Sequence, residues 1–228
     1  MGGPVIETRL DDSGTVVRLT PEHRTIVDLI PAGAHVLDLG CGEGDLLLAL
    51  KAMKNARPEG IELSEDCIQA CVARGLFNVR QGDLDEGLAD YPDQSIDYVI
   101  LTNTLQVLHR PLLLIREMAR VGRRCVLSFP NFAYWPVRRQ LFFHGRMPIT
   151  GQLPSEWYDT LNIHLTTIAD FRDFCGKGGL KVLREIPLKT STAGRCTVVS
   201  FLPNLRADSA IFVLEGGITQ AAGAVTPR

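Results

Sequence analysis

Short apolar runs separated by longer amphipathic stretches repeat along most of this chain. The apolar runs predict strands, and the stretches between them predict helices. The predicted strands cover residues 36–39, 59–63, 77–81, 95–101, 124–129, 181–186 and 210–215, and the predicted helices cover 21–30, 43–53, 64–75, 111–120 and 167–178. Strands that alternate with helices at this spacing indicate an α/β fold, in which a parallel sheet carries helices on both faces.

The pattern predicts one domain with less regular segments around it. Residues 1–19 form an expected flexible N-terminal segment, residues 20–215 a single domain and residues 216–228 a flexible tail. The alternation breaks at residues 130–166, which hold both tryptophans and show no clean period. We expect this stretch to be an insertion of loop and helix. It is either a lid over a site or a surface for a partner.

Composition narrows the possible partners and the compartment. The chain is 45% hydrophobic and 22% charged, with a net charge of -2, so neither nucleic acid nor an anionic membrane is an expected partner. There is no apolar run of a length that could span a membrane and no signal-peptide pattern, which predicts a cytoplasmic protein. The six cysteines form no Cys-x-x-Cys pair, so we expect reduced thiols in the core and no metal site.

The first predicted strand runs directly into a glycine-rich turn, with the sequence VLDLGCGEG over residues 36–44. A dinucleotide fingerprint would have a third glycine where Asp45 stands. Together with Asp38 and Glu43, this residue crowds the turn with acids, which disfavours a pyrophosphate and hence a dinucleotide oxidoreductase. Acids instead favour a ligand that carries a sulfonium and an ammonium, namely S-adenosylmethionine.

The motif Asp-x-Gly-x-Gly-x-Gly resembles that of class I S-adenosylmethionine-dependent methyltransferases over residues 20–180. This resemblance implies a Rossmann-like fold, with a mostly parallel seven-stranded sheet and an antiparallel last strand. It also implies that Gly40, Cys41 and Gly42 bring the backbone close to the amino acid part and the ribose of the cofactor. Asp38 would orient the turn or meet the ammonium, directly or through water.

Further cofactor contacts implied by the resemblance lie where the next predicted strands end. Glu62 would accept hydrogen bonds from both ribose hydroxyls. Leu63 would pack on the adenine, and Asp83 would accept from its amino group, with Leu84 beside it. The methionine part would be flanked by Leu101 and Thr102. The cofactor would be S-adenosylmethionine or its product S-adenosylhomocysteine.

Segments outside the cofactor motif resemble one family more closely, that of the methionine biosynthesis protein MetW. They read SFPNFAYW, GRMP and LPSEWYDTLNIHLTT, with LQV at 105–107 and GCGEGDLL at 40–47. The sequence departs from the family pattern at residues 133–134, 136, 161 and 166. The resemblance implies an accessory role beside the homoserine O-acetyltransferase or O-succinyltransferase of methionine biosynthesis.

No residue stands out as a catalytic base. The segment LTNTLQVLH after the fourth predicted strand lacks the Asn/Asp-Pro-Pro-aromatic motif of base-amino methyltransferases. Gln106 and His164 are the weak candidates for a catalytic role. Two hypotheses remain open: an accessory protein that binds S-adenosylmethionine, and an active methyltransferase that acts on a small molecule.

Overall fold

The computed structural model describes residues 6–9, 16–191 and 195–217, which form ten strands and seven helices. The strands are β1 Ile6–Arg9, β2 Val16–Leu19, β3 His35–Leu39, β4 Arg57–Glu62, β5 Val79–Gln81, β6 Ile96–Thr102, β7 Gly122–Pro130, β8 Val182–Thr190, β9 Cys196–Val198 and β10 Ser209–Glu215. The helices are α1 Pro21–Leu29, α2 Asp45–Lys54, α3 Glu65–Ala73, α4 Pro111–Val121, α5 Trp135–His144, α6 Ile168–Lys177 and α7 Pro203–Arg206.

Eight of these strands form one sheet in the order β5-β4-β3-β6-β7-β10-β8-β9. Strands β5, β4, β3, β6 and β7 are parallel, whereas β10 runs antiparallel between β7 and β8. This confirms the predicted Rossmann-like fold and its antiparallel last strand. The sheet has eight strands rather than seven because β9, only three residues long, pairs with the outer side of β8; a run this short gives no periodic signal.

Alternate residues of the central strands supply two hydrophobic layers, one on each face of the sheet. Leu37 and Leu39 of β3 pack in the layer that contains residues of α4 and α6. Val36 packs in the opposite layer, with residues of α1 and α2. The side chain of Asp38 belongs to this second face, at the carboxyl end of the strand, which places a carboxyl group directly beneath the glycine turn.

The N-terminal segment differs from expectation in the residues that the structure describes. Strands β1 and β2 pair antiparallel, with Ile6 opposite Leu19, and form a separate two-stranded sheet. Val17 and Leu19 are buried in the layer that contains α1 and α2, so hydrophobic burial holds β2 on the domain. Two parts of the segment expected to be flexible thus have regular secondary structure; residues 1–5 and 10–15 lie outside the described residues, as do 218–228 of the expected tail.

The predicted starts of three helices are confirmed by their capping hydrogen bonds. The hydroxyl of Thr20 accepts from the backbone N–H of His23 at 3.1 Å, and that of Ser64 accepts from Cys67 at 3.4 Å. The hydroxyl of Thr167 accepts from the N–H of Asp170 at 3.1 Å. In the part of the chain that is described, no helix is both long and apolar enough to cross a lipid bilayer.

Candidate functional site

The glycine turn between β3 and α2 lies at the carboxyl ends of the parallel strands. Gly40, Gly42 and Gly44 have φ angles of 74°, 55° and 80°, a left-handed conformation that favours glycine. The backbone N–H groups of Gly40 and Cys41 donate to the carbonyl of Ile61 at 2.8 and 3.2 Å. The turn is thereby fastened to the neighbouring strand β4.

The carboxylate of Glu62 is the second fastening of the turn. Its Oε2 accepts from the N–H of Gly42 at 2.8 Å, and its Oε1 accepts from Leu63 at 2.8 Å and Ser64 at 3.0 Å. A carboxylate offers about four acceptor positions, so three backbone donors leave room for a ligand hydroxyl. The residue predicted to bind the ribose thus also shapes the turn, a role that the sequence did not reveal.

Asp38 is a buried carboxyl group beneath the same turn. It is 1% exposed, and its Oδ1 has no hydrogen-bond partner. Burial, and secondarily the charge of Glu62, raises the pKa of Asp38 to about 7. Because a buried carboxylate without a partner is costly, a cationic group placed here would be stabilised. The carboxylate of Asp38 therefore fits a ligand that carries an ammonium group.

The residues predicted to hold the adenine lie at the ends of β4 and β5. Leu63 is 63% exposed, so its side chain is accessible to a ligand. Asp83 is exposed, and its Oδ1 accepts from the N–H of Asp85 at 2.9 Å, which leaves the second carboxylate oxygen available. Leu84 is buried behind it. Leu63 and Asp83 thus present an exposed apolar side chain and an acceptor at the ends of neighbouring strands.

At the end of β6, Leu101 and Thr102 differ in what they can offer to a ligand. The side chain of Leu101 is fully buried in the core, so only its backbone can flank a ligand. Thr102 is half-buried, and its carbonyl accepts from the hydroxyl of Thr104 at 2.9 Å. Thr104 was not predicted, yet its Oγ1 lies 3.0 Å from where a β-carbon on Gly40 would be. A β-carbon at this glycine would therefore crowd the Thr104 side chain, in addition to the strain of its φ angle.

Asp45, one of the three acids at the turn, forms an ion pair with Arg74. Oδ1 of Asp45 accepts from Nη2 of Arg74 at 2.6 Å and from the N–H of Arg18 at 3.1 Å. Nη1 of the same Arg74 donates to the carbonyl of Glu43 at 2.6 Å. The acidic character inferred for the site consequently rests on Asp38 and Glu62 more than on Asp45.

Gly44 should be the least replaceable glycine of the turn. A β-carbon there would lie 2.4 Å from Cδ1 of Leu76 and 2.9 Å from Sγ of Cys71, in a left-handed conformation. We expect Gly44→Ala to lower the free energy of unfolding by about 3 kcal/mol, measured by chemical denaturation. Gly33→Ala is the matched control, since Gly33 has a φ of 76° with no atom within 4 Å of its β-carbon. It should cost about 1 kcal/mol; equal losses would contradict the steric argument.

A buried acid from α1 also reaches this edge of the sheet. Oε2 of Glu22 accepts from Nδ2 of Asn103 at 2.8 Å, whereas Oε1 has no partner. Burial raises the pKa of Glu22, and Ser209, Asn103 and Ser128 oppose that rise. The sequence presents Glu22 as an ordinary acid in a first helical turn, so nothing in it signals burial.

The two weak catalytic candidates are brought together. The backbone N–H groups of Ile163 and His164 donate to the carbonyl of Gln106 at 2.7 and 3.0 Å. Nε2 of Gln106 donates to the carbonyl of Asn103 at 2.8 Å. Its Oε1 and the Nε2 of His164 are buried without hydrogen-bond partners. The Asn103 carbonyl thus orients the amide of Gln106, but a carboxamide is not a base, and Nε2 of His164 has no partner that would orient it as a catalytic base.

A cavity of about 320 Å³ opens beside His164, between α4 and α6. Its walls are mostly apolar and include Leu105, Ile115, Phe171 and Phe174. This is within the size range of small-molecule sites. Among the described residues, no group of three or more histidine, cysteine or acidic side chains could hold a metal ion.

Solved structures with a similar fold are S-adenosylmethionine-dependent methyltransferases. One from Archaeoglobus fulgidus superposes with a TM-score of 0.63 at 16% identity, covering 85% of this chain and 91% of that one. The magnesium protoporphyrin IX methyltransferase of Synechocystis, solved with bound SAH, has a TM-score of 0.59 at 19% identity and coverages of 86% and 82%. The fold is thus that of the class I methyltransferases.

Comparison of sequences identifies the family. Residues 20–214 match the model of the methionine biosynthesis protein MetW, and the chain belongs to this family. The bifunctional methionine biosynthesis protein MetXA/MetW of Rhodopirellula baltica is 37% identical over 93% of this chain. A demethylmenaquinone methyltransferase of Geobacillus kaustophilus is 28% identical over 57% of it. The chain spans only 36% and 61% of the lengths of these two relatives.

Proposed function

We propose that this protein binds S-adenosylmethionine or S-adenosylhomocysteine, and that it acts in the cytoplasm as an accessory partner of the homoserine O-acyltransferase of methionine biosynthesis. One observation carries the proposal. One relative is 37% identical to this chain over 93% of the chain's length. The match spans 36% of that longer protein, whose name joins MetXA to MetW. Two functions fused in one chain commonly act together, and the family membership supports the same pathway.

The cofactor part of the proposal rests on the donors and acceptors at the glycine turn. Glu62 would accept from the ribose, and the unpaired Oδ1 of Asp38 would face the ammonium. Leu63 would cover the adenine, with Asp83 as acceptor for its amino group. When bound, the cofactor carries an electrophilic methyl group on a sulfonium. Cofactor binding belongs to the accessory function if the acyltransferase responds to it.

The test is the activity of purified homoserine O-acyltransferase from the same organism, with and without this protein. We expect the acyltransferase rate, or the yield of soluble enzyme, to rise when both proteins are present. Repeating the assay with S-adenosylmethionine and with S-adenosylhomocysteine measures whether the cofactor controls the effect. If the two proteins neither associate nor change the rate, the accessory function is wrong.

A second candidate function is a methyltransferase that acts on a small molecule. The observation in its favour is the apolar cavity lined in part by His164, whose Nε2 is buried without a hydrogen-bond partner. Such an enzyme would release S-adenosylhomocysteine when supplied with a metabolite extract. His164→Ala should then lower the rate while leaving the affinity for S-adenosylmethionine unchanged. If the amount of product does not exceed that of the extract alone, this function is wrong.

A further inference from the structure

The segment from α5 to residue 163 exposes more large apolar side chains than a protein surface ordinarily carries. Phe142 and Leu161 are 82% and 81% exposed, and Phe143, Trp157 and Tyr158 are exposed to about the same extent. The rings of Phe142 and Phe143 stack edge to face at 5.0 Å, and those of Trp157 and Tyr158 at 5.6 Å. Exposed aromatic groups of this kind mark interaction sites.

The backbone that carries these side chains is held in place. Val137 anchors α5 in the core, with 1% of its surface exposed. The side chain of Gln140 accepts from the N–H of Ile149 at 3.0 Å and donates to its carbonyl at 3.3 Å. Nε2 of Gln152 donates to the hydroxyl of Thr190 in β8 at 3.3 Å. The apolar side chains therefore point away from the domain on an ordered support.

These contacts argue against a lid over the cofactor turn. Within the described residues, the hydrogen bonds that leave residues 135–163 reach distant Gln106 and Thr190 and adjacent Ala133 and Tyr134, and none reaches the turn at Gly40–Gly44. A segment fixed at both places would have to break these bonds to close. The insertion is thus better suited to binding a second molecule than to covering the site.

The chemistry of α5 indicates the kind of surface it fits. Residues 135–149 contain Arg138, Arg139 and Arg146 and no acidic residue. The guanidinium of Arg139 lies over the ring of Trp135, 5.1 Å from its centroid. Arginine and aromatic side chains are enriched at the centres of protein interfaces, so the complementary surface should be apolar with an acidic rim.

We infer that α5, with Phe142 and Phe143 in its last turn, is the surface on which the homoserine O-acyltransferase docks. This inference rests on the proposed function, and the occupant is chosen because a relative joins a MetXA portion to a chain of this family. Among the described residues the segment makes no hydrogen bond to the cofactor turn, so docking on the segment requires no rearrangement of that turn. Partner binding and cofactor binding would then occupy separate parts of the molecule.

The double variant Phe142→Ser/Phe143→Ser tests this surface. Its dissociation constant for the purified acyltransferase of the same organism would be measured by titration calorimetry, together with its melting temperature. We expect binding at least about tenfold weaker, since central aromatic side chains dominate interface affinity. Phe77→Ser is the matched control, because Phe77 is 77% exposed and lies outside the segment, just before β5. It should bind like the wild type.

A charge reversal provides a second, independent variant. Arg139→Glu keeps an exposed position polar, so folding should be preserved, and it places an acid against the expected acidic rim. We expect weaker binding, together with a smaller loss of affinity at high salt than the wild type shows.

The outcomes separate the inference from the proposed function. If the wild type does not bind the acyltransferase, the accessory function itself is wrong. If the wild type binds and all variants bind equally well, the accessory function stands and α5 is not the docking surface. If the double variant changes only the association of this protein with itself, the surface joins two copies of the chain and the inference is overturned.

Discussion

Replacing Glu62 with alanine should lower the affinity of the protein for S-adenosylmethionine by about 100-fold, because one carboxylate serves both the ligand and the turn. In the structure this carboxylate accepts backbone hydrogen bonds from Gly42, Leu63 and Ser64. Without it, three N–H groups lose a charged acceptor, and the turn loses one of its two connections to β4. Titration calorimetry with S-adenosylmethionine measures the effect.

Two further variants show whether the charge or the hydrogen bonds matter more. Glu62→Gln keeps one acceptor oxygen and the shape of the side chain, so its affinity should fall by about tenfold only. Glu65→Ala removes an exposed acid three residues away, in the first turn of α3, and should leave the affinity unchanged. An affinity for Glu62→Ala close to that of the wild type would mean that the proposed ribose contact does not exist.

The central sheet could be predicted because its strands are buried and separated by regular helices. In β6, the run from Ile96 to Leu101 contains four buried residues, a signal that local sequence carries by itself. The pairing of β1 with β2 depends instead on a non-local surface. Val17 and Leu19 are buried only because α1 and α2 are already in place. The four residues of β2 by themselves give no indication that α1 and α2 will cover them.

The candidate site was predictable in position but not in its internal bonding. The motif places Asp38, Gly40 and Glu62 at one edge of the sheet, since the ends of parallel strands meet there. It gives no information on which atoms remain unpaired after folding. The partnership of Asp45 with Arg74 and the burial of Glu22 arise from contacts over 29 and 81 positions of the chain. Separations of this length have no signature in a single sequence.

Asp38 should be the residue at which stability and ligand binding conflict most. Its pKa is about 7 in the folded protein, against an ordinary value of 3.8. Between these two pH values the folded state holds a proton that the unfolded state has released, so this group makes the protein less stable as pH rises. The full pKa shift corresponds to a decrease of at most about 4 kcal/mol in the free energy of unfolding. Above pH 7 the buried group is a carboxylate without a partner for its Oδ1.

Asp38→Asn should therefore stabilise the ligand-free protein at pH 8 by about 1–2 kcal/mol, because the amide carries no charge into the interior. The same change should weaken S-adenosylmethionine binding by at least about tenfold, since the ammonium of the ligand loses its counter-charge. Denaturation and calorimetry on both proteins measure the two effects. Between pH 4 and pH 7 the free energy of unfolding should fall more steeply for the wild type than for the variant.

The comparison of the two proteins isolates this carboxyl group. Glu22 also has a raised pKa, and it contributes equally to both pH profiles because Asp38→Asn leaves it in place. The wild type should also bind the ligand more tightly as pH rises towards 7, since the ammonium requires the ionised form of Asp38, whereas the affinity of the variant should not follow this course. If Asp38→Asn instead destabilises the ligand-free protein at pH 8 and binds the ligand as the wild type does, the carboxylate orients the glycine turn and does not meet the ammonium.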